Sequence, residues 1–547
     1  MAETTLTPRP AATLILVRDG AAGIEIFMLQ RTHRAVFMPG VYVFPGGAVD
    51  AADAAEELHS LCHGIDDAAA SRMLGVERGG LAYLVAAVRE CFEESGLLLA
   101  QGERLAALDH AALRAQLCAG ELSLAELCRR HGVRLALDRL AYFAHWVTPP
   151  GPPRRYDTRF FLAVAPDGQS GCHDGEETIA HVWIRPEEAL ERHRQGDFPL
   201  SSPTIRTLKT LVGFADTAAL MEHARRPRAV AETRPRVAMG RDGQRIFHAE
   251  DPVYAELAKV DPNETGNASY EILPGVVTRL SERVRRIAAP NAGFMTGPGT
   301  NTYLVGSGDE LAVIDPGPAS DEHLQALLQA TGGRVRWILA THTHSDHSPG
   351  ALRLKAETGA EVLGMPAPPH AGQDQSFAPD RVLRHGERLT VGDCTLRVIH
   401  TPGHASNHLC YLLEEERLLF TGDHIMQGST VVINPPDGDM SAYLQSLLAL
   451  HDLDIAYLAP GHGFLMDQPY AMIDRLVSHR LAREAKVLQA LRSHGQGSLD
   501  ALVPLAYDDV PPILHRVASR SLLAHLLKLE QDGLARREGD QWVAVAA

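Results

Sequence analysis

Cysteine is scarce in this sequence, and long hydrophobic runs are absent from it. The seven cysteines are an odd number and include no C-x-x-C pair, which argues against a disulfide framework and predicts reduced thiols in a cytoplasmic protein. An apolar run of about 18 residues, which would indicate a membrane-spanning helix, does not occur. The first ten residues also lack the charged and apolar regions of a signal peptide. We therefore expect a cytoplasmic protein that makes no membrane contact.

An excess of positive charge is also missing. The chain has 52 Lys and Arg against 68 Asp and Glu, a formal net charge of −16 at pH 7, and its pI is about 5.9. General attraction to nucleic acid or anionic membranes is therefore not predicted. Small anionic substrates would have to be bound locally, by metal ions and individual arginines.

Internal repeats, low-complexity runs and coiled-coil heptads are absent as well, so the two halves of the chain are predicted to be different folds. A length of 547 residues exceeds what one core usually organises. Proline, arginine and short polar residues interrupt the apolar periodicity between residues 226 and 275. We predict an N-terminal domain (1–225), a linker (226–275), a second large domain (276–475) and a C-terminal domain (476–547).

The second half of the chain contains a dense group of metal-binding residue types. The stretch Thr341-His-Thr-His-Ser-Asp-His347 is followed by three further positions, each beside a glycine. The candidate ligands are His342, His344, Asp346, His347, His404, Asp423 and His462. Seven such side chains can hold two ions about 3.5 to 4 Å apart. Imidazole and carboxylate suit two Zn²⁺ or other divalent transition-metal ions, which activate water for hydrolysis at neutral pH.

These motifs resemble the metallo-β-lactamase superfamily, which implies an αββα sandwich with the ligands on loops at one edge. By that resemblance, one ion is bound by His342, His344 and His404, and the other by Asp346, His347 and His462. Asp423 bridges the two ions, Asp346 also takes part in catalysis, and Asp315 orients a ligand.

Two departures from related subfamilies narrow the predicted activity. The commonest zinc β-lactamases carry Cys where this chain has Asp423, so antibiotic hydrolysis is not expected. Only 57 residues separate His404 from His462, which leaves no room for the large insertion of RNA-processing and DNA-repair relatives. The remaining resemblance is to glyoxalase II type thioesterases and to the β-lactamase-like 2 group, which includes a single-strand endoribonuclease.

The C-terminal residues favour the second of these groups. Helices are predicted at 478–491, 498–505 and 511–531, followed by a hairpin at 534–545. The first helix is expected to bury one apolar stripe: Leu481, Ala485, Leu488 and Leu491. Three helices and a hairpin indicate a winged helix. Nine Lys or Arg against eight Asp or Glu in this part do not form a DNA-binding surface, so we expect a supporting role or a homodimer contact.

The first half of the chain carries three clustered glutamates. A helix that begins near Leu81 would place one apolar stripe on one side: Leu81, Leu84, Val85, Val88 and Phe92. Glu90, Glu93 and Glu94 fall on the opposite side. Clustered carboxylates of this kind suit Mg²⁺ or Mn²⁺. The alternative is an ordinary solvated helix face.

The helix sequence Arg89-Glu90-x-x-Glu93-Glu94-x-Gly96-Leu97 resembles the second half of the Nudix box, and Phe44-Pro-Gly-Gly47 resembles its opening. Gly47 and Arg89 are 42 positions apart, so an insertion of roughly 28 residues interrupts the motif and its first glutamate cannot be assigned. Interrupted boxes of this type are similar to those of the peroxisomal subgroup of coenzyme A diphosphatases, which implies a Nudix α/β/α sandwich.

The Nudix resemblance assigns roles to individual residues. Glu90, Glu93 and Glu94 would bind the cation, with Glu93 and Glu94 catalytic, and Arg89 would orient them. The general base is left open. Arg31, Gly46 and Gly47 would contact a nucleoside diphosphate, although a glycine-rich turn also serves chain geometry alone.

The whole chain is thus predicted to be an α/β and α+β multidomain protein. Our preferred hypothesis is a bifunctional hydrolase, with a Nudix diphosphatase and a metallo-β-lactamase-fold esterase or thioesterase that act on acyl-coenzyme A or nucleoside diphosphates. The alternative is a single-stranded RNA endoribonuclease whose Nudix half senses a ligand without turning it over.

Overall fold

The chain divides into two units, each with its own cores. In this computed structural model, residues 6–35, 38–306, 308, 310–370 and 372–545 are described. The first unit comprises Met1–Val237 and Glu264–Gly266, and the second comprises Ala238–Asn263 and Asn267–Ala547. The four-part division made from the sequence stays a prediction. The first five residues, on which part of the signal-peptide argument rests, lie outside the described residues.

The first unit combines a large mixed sheet with helices on both of its faces. Its strands are β1 (Arg9–Gly20), β2 (Gly23–Arg31), β3 (Tyr42–Val43), β4 (Gly46–Ala48), β5 (Cys62–His63), β6 (Ala100–Gln101), β7 (Arg134–Ala136), β8 (Ala141–Val147), β9 (Tyr156–Val164), β10 (Thr178–Ile184) and β11 (Glu232–Thr233). Its helices are α1 (Glu56–His59), α2 (Asp67–Leu74), α3 (Gly80–Ser95), α4 (His110–Cys118), α5 (Leu124–His131), α6 (Pro186–Gln195), α7 (Ser202–Leu211) and α8 (Thr217–Arg225). The large sheet has the order β10-β2-β1-β9-β8-β11, with β3 beside β2 and β4 beside β1.

The central strand β1 explains why this sheet is covered on both faces. Leu14 and Leu16 are fully buried in the core that includes α3, while Ile15 and Val17 are fully buried in the core that includes α6, α7 and α8. Since neighbouring side chains of a strand point to opposite faces, a continuous apolar run requires a layer on each side. The predicted α/β/α sandwich is confirmed.

The segment between Gly47 and Arg89, predicted to be an insertion, contains regular structure. It forms α1, β5 and α2, and Leu74 at the end of α2 is buried in the core around α3. A Cβ atom on Gly80 would lie only 2.3 Å from the backbone nitrogen of Ser71, so glycine permits the close approach of α2 and α3. The insertion therefore packs directly against the helix that carries the clustered glutamates.

The second unit contains two stacked sheets and a C-terminal helical part. Its strands are β12 (Arg236–Gly240), β13 (Gly243–Phe247), β14 (Val277–Arg279), β15 (Val284–Ala288), β16 (Asn301–Val305), β17 (Leu311–Ile314), β18 (Val335–Leu339), β19 (Glu361–Gly364), β20 (Arg381–Val382), β21 (Arg388–Val391), β22 (Cys394–His400), β23 (Leu409–Leu413), β24 (Leu418–Gly422), β25 (Tyr457–Pro460), β26 (Gln496–Gly497), β27 (Ala535–Glu538) and β28 (Gln541–Ala544). Its helices are α9 (Tyr254–Val260), α10 (Asp321–Thr331), α11 (Gly350–Thr358), α12 (Met440–Ala449), α13 (Pro469–His494), α14 (Leu499–Ala506) and α15 (His515–Gln531).

The two sheets run in chain order, β14 to β20 and β21 to β25. Tyr303 and Ile314 of the first sheet share a core with Val398 and Phe420 of the second. Helices α10 and α11 pack on the outer face of the first sheet, and α12 and α13 pack on the outer face of the second. The predicted αββα sandwich is confirmed.

The predicted linker contributes a helix to the second unit. Glu256 in α9 accepts two hydrogen bonds from the guanidinium of Arg286 in β15, at 2.6 and 2.8 Å, and also accepts one from the backbone nitrogen of Leu465. The side chains of this ion pair are only 2% and 1% exposed. The pair fastens α9 to the first sheet.

Helices α13, α14 and α15 with the sheet β26-β28-β27 form the predicted winged helix, closed by the buried Trp542. The predicted stripe of the first helix is confirmed for Leu488 and Leu491, which pack in this core, but it is wrong for Leu481, which is 48% exposed, whereas Arg480 and Arg483 are buried. Arg480 donates to the carbonyl of Val431, and hydrogen bonds of this kind allow arginines to occupy core positions.

In the described part of the chain, no helix is both long and apolar enough to cross a membrane.

Replacement of Glu256 by Gln should strongly destabilise the second unit. The charge of Arg286 would stay buried without a partner, which costs about 3 to 5 kcal/mol. Hydrogen exchange measured peptide by peptide along a urea series should show the strands around Arg286 opening at lower urea. Glu310→Gln is the matched control, because its ion pair with Arg336 is about half exposed and is worth at most about 1 kcal/mol. Equal midpoints in the two variants would contradict this account.

Candidate active sites

The seven candidate ligands of the second unit lie just after the ends of strands. The run from His342 to His347 follows β18, His404 follows β22, Asp423 follows β24 and His462 follows β25. All four strands are in the two stacked sheets. The structure brings these seven side chains together.

Three imidazoles form the first group. The Nε2 atom of His342 lies 2.9 Å from Nδ1 of His344, and Nε2 of His404 lies 3.0 Å from the same Nδ1 atom. The three nitrogens converge on one point, which suits a single metal ion.

Asp346, His347 and His462 form the second group. Oδ2 of Asp346 lies 3.4 Å from Nε2 of His347 and 3.4 Å from Nε2 of His462. Asp423 lies between the groups: its Oδ1 atom is 3.5 Å from His347 and its Oδ2 atom is 3.8 Å from His404. One carboxylate oxygen thus faces each group, which is the geometry of a bridging ligand.

Four of the five rings have a partner at their outward nitrogen that fixes the tautomer: His342, His347, His404 and His462. Asp315 Oδ2 accepts from Nδ1 of His347 at 2.9 Å and from the hydroxyl of Thr341 at 2.8 Å. The Thr341 oxygen in turn lies 3.0 Å from Nδ1 of His342. The carbonyl of Val432 accepts from Nδ1 of His404 at 2.8 Å, and the carbonyl of Gly299 accepts from Nδ1 of His462 at 3.2 Å. The inner nitrogens therefore keep free lone pairs.

The carboxylates of the site favour positive charge at its centre. Burial opposes protonation of His347, yet Asp346, Asp423 and Asp315 together raise its pKa well above the usual value. Burial and the neighbouring His404 lower the pKa of His344 to about 4. The buried Nε2 of His347 and Oδ1 of Asp423 have no hydrogen-bond partner. These two atoms could bind metal ions, and the carboxylates around them outnumber the cationic side chains. Both features fit a pair of divalent cations.

The helix after the histidine loop, α11, starts at Gly350. Just before it, the hydroxyl of Ser348 donates to Asp374 at 2.8 Å. A Cβ atom on Gly350 would lie 2.4 Å from the carbonyl oxygen of Pro316. Glycine is required there because α11 touches the loop that carries Asp315.

A cleft of about 1370 Å³ extends from these ligands to the C-terminal helices. Apolar side chains from the sandwich and from the tail line it: Phe294, Met295, Phe464, Val510, Leu514 and Val517. Of the arginines in the lining, Arg483 is bound to Asp509 at 2.8 Å, and Arg480 is held by a carbonyl. Arg520 is exposed and pairs with no carboxylate among the described residues.

The second candidate site lies on α3 of the first unit. Arg89 donates to Glu90 at 3.0 Å and to Glu93 at 2.8 Å. Glu94 is 6% exposed, and its Oε2 atom accepts from the backbone nitrogen of Gly46 at 2.9 Å. The alternative of a solvated helix face is wrong, because the helix is packed on most of its circumference.

Sequence reasoning missed Asp53. This residue is fully buried and binds Arg89 through both carboxylate oxygens, at 2.8 and 2.9 Å. It supplies the acidic partner that could not be assigned in the interrupted motif. Asp53 follows Gly47 by only six positions, ahead of α1, so that the insertion lies between Asp53 and α3. That spacing was the available signal.

Burial raises the pKa of Glu90 to about 7, with Glu93 adding to the shift and Arg89 opposing it. Burial and Glu90 likewise raise the pKa of Glu94 well above its usual value. A Cβ atom on Gly47 would lie 2.5 Å from the Glu90 carboxylate, so glycine lets the β4 turn approach these acids. Arg31 ends β2 and lowers the pKa of Glu94, which places a cation beside the cluster.

Family models match three parts of the chain: the metallo-β-lactamase superfamily at residues 295–462, the beta-lactamase associated winged helix domain at 498–542 and the NUDT19 Nudix domain at 76–211. A Beta-lactamase-like protein 2 homolog of Caenorhabditis elegans is 31% identical over 278 residues, 49% of this chain and 92% of that protein. Its Drosophila melanogaster counterpart is 34% identical over 276 residues, 48% of this chain and 92% of that protein. A NUDIX hydrolase structure from Alicyclobacillus acidocaldarius is 30% identical, with a TM-score of 0.35, and the match covers 42% of this chain and 100% of that one.

Both catalytic families are hydrolases that depend on metal ions. The metallo-β-lactamase fold implies divalent metal, often zinc, and Nudix enzymes usually use Mg²⁺ or Mn²⁺. The chain therefore belongs to the metallo-β-lactamase superfamily through its second unit, which ends in the winged helix associated with that family, and its first unit is a Nudix domain of the NUDT19 type.

Proposed function

We propose that the protein is a bifunctional hydrolase in which each unit has its own metal-dependent site. In the second unit, His342, His344 and His404 hold one divalent ion. Asp346, His347 and His462 hold the other, and Asp423 bridges them. When bound, such a pair supplies a water nucleophile at neutral pH and stabilises the negative charge that develops on the substrate.

The residues around this centre position its ligands and shape what can enter. Asp315 holds His347 and Thr341 in place from a backbone with φ of 53°, a conformation that few residues adopt without tertiary support. Asp346 is oriented by the hydroxyl of Thr300 at 3.3 Å. We assign Asp346 to catalysis because it lines the cleft as well as belonging to the second group.

The cleft supports an ester or thioester with a large apolar acyl group. Its walls are mainly apolar, whereas a channel for single-stranded RNA needs several unpaired cations along the phosphates. The buried arginines are already engaged by Asp509 and a carbonyl, which leaves Arg520 for one anionic group. A single-strand endoribonuclease with a sensing Nudix unit is the competing hypothesis.

In the first unit, we assign Glu90, Glu93 and Glu94 to Mg²⁺ or Mn²⁺ and propose hydrolysis of a nucleoside diphosphate of the coenzyme A type. The fit rests on the cluster of buried carboxylates with raised pKa values, since a cation would allow all three to ionise. Arg89 positions Glu90 and Glu93, and Asp53 positions Arg89. Arg31 and the turn at Gly46 and Gly47 are available to the diphosphate.

Mass spectrometry of products from an acyl-coenzyme A, with Mg²⁺ and Zn²⁺ present, should show activity at both sites. Nudix hydrolysis releases adenosine 3′,5′-bisphosphate, and thioester hydrolysis releases free coenzyme A. Glu93→Gln should lower the first product by about 100-fold or more without lowering thioester hydrolysis. His344→Ala should abolish the second product alone. Glu121→Gln, an exposed position of the first unit, should change neither.

The outcomes separate the two hypotheses. Cleavage of single-stranded RNA by the second unit, with no product from acyl-coenzyme A, would favour the endoribonuclease. Ligand binding by the first unit without turnover would make that unit a sensor. Unchanged products in both active-site variants would contradict the site assignments themselves.

Replacement of Asp315 by Asn should weaken zinc binding by about 10- to 100-fold, because the oriented partner of His347 is lost. Competition with a chromogenic chelator measures this affinity directly. Asp321→Asn, at a highly exposed position of the same unit, is the control and should leave the affinity unchanged. A folded Asp315 variant with full affinity would contradict the positioning role.

Replacement of Asp53 by Asn should lower diphosphatase turnover by about 100-fold, because a misplaced Arg89 no longer holds Glu90 and Glu93 in register. Asp50→Asn is the matched control. Its carboxylate is 61% exposed and lies 3.7 Å from Arg89, so its loss should have little effect. Steady-state kinetics of the full chain tests this, and equal turnover in the two variants would refute the role of Asp53.

A further inference from the structure

A second kind of metal-binding cluster lies outside both active sites. Cys172 and His173 are in the segment before β10, and His181 is within β10. One ligand atom from each residue lies within 4.8 Å of the others. These residues lie inside the range matched by the Nudix domain model but outside the Nudix motif residues described above.

The geometry of the cluster is close to that of a tetrahedral site. The Nδ1 atoms of His173 and His181 are 2.8 Å apart. Ligand atoms around zinc, with Zn–N of about 2.0 Å and Zn–S of about 2.3 Å, are separated by roughly 3.3 to 3.6 Å. An ion among the three atoms would replace the hydrogen bond that the two imidazoles share in this structure. Cys172 and His181 are exposed, so the ion can enter from solvent.

The residue types select the class of ion. A thiolate and two imidazoles suit zinc and other borderline or soft transition-metal ions rather than Mg²⁺ or Ca²⁺. Asp174 is not a member of this group, and its Oδ1 atom accepts from the backbone nitrogens of Glu176 and Thr178 at 2.6 and 3.0 Å. Three protein ligands leave the fourth position to water or a small ligand.

The surrounding contacts hold the cluster in place. The backbone nitrogen of Cys172 donates to the carbonyl of Ser95 at 2.9 Å, at the end of α3. Arg114 donates to the carbonyls of Cys172 and Glu93, at 2.9 and 2.7 Å. The ring of His181 stacks on Phe27, with centroids 5.9 Å apart. Two of the three ligands are thus fixed through their backbone or ring before any ion binds.

We propose that Cys172, His173 and His181 bind one zinc-like transition-metal ion, at a site separate from the carboxylate cluster of α3 and from the dinuclear centre of the second unit. Binding replaces the thiol proton of Cys172 by the ion and leaves both imidazoles neutral. The bound ion would tie the segment before β10 to β10 itself, and the hydrogen bond from Cys172 to Ser95 joins the same segment to the end of the helix that carries Glu93.

Cobalt titration of the metal-stripped full-length protein tests this proposal. A Co²⁺–thiolate bond gives a charge-transfer absorption in the near ultraviolet, and the candidate ligands of the dinuclear centre include no sulfur. With a non-thiol reductant present, Co²⁺ added beyond the ions that the dinuclear centre binds should develop this band to an end point of one thiolate-bound ion per chain, and excess Zn²⁺ should remove it.

Variants assign the band to the cluster. Cys172→Ser should abolish it and His181→Ala should weaken Co²⁺ binding by at least tenfold. Cys118→Ser, at the other exposed cysteine, and His344→Ala, in the dinuclear centre, should both retain it. Absence of the band, or its persistence in a folded Cys172→Ser protein, would overturn the proposal.

Discussion

In both candidate sites, the buried and partly buried carboxylates outnumber the cationic side chains around them, and the chemistry of each site depends on this imbalance. Asp315, Asp346 and Asp423 converge on a few imidazoles in the second unit, and the buried Glu94 lies beside the partly buried Glu90 in the first. Burial of unpaired charge is costly, so groups of this kind either take up protons or bind cations. The two folds share this imbalance. In each of them, glycines leave room for the carboxylates: Gly47 lies against Glu90 and Gly461 lies against Asp423.

The αββα and α/β/α architectures and most of the candidate ligands could be predicted from the sequence. The run from His342 to His347 is local, and its spacing after an apolar strand leaves few alternatives. The role of Asp53 could not be predicted in this way, because a folded insertion separates Asp53 from its partner Arg89 in the sequence. The position of Asp423 between the two groups depends on how two separate sheets meet, so it was expected from the family resemblance and not from a local pattern.

The C-terminal part shows the limit of reasoning from hydrophobic periodicity. The predicted helix and hairpin are present, but α13 buries Arg480 and Arg483 and exposes Leu481. Those arginines satisfy a carbonyl of the sandwich and Asp509. The tail therefore joins the sandwich through Arg480 as well as through apolar side chains of α13 and α15, and this junction forms one wall of the cleft.

The central claim is that the carboxylates and imidazoles of the candidate site in the second unit bind two metal ions, one on each side of Asp423. Diffraction from crystals grown with zinc, recorded above and below the zinc absorption edge, tests it most directly. The account predicts two anomalous peaks about 3.5 to 4 Å apart, with His344 beside one and His462 beside the other. A single peak, or two peaks that do not share Asp423, would contradict it.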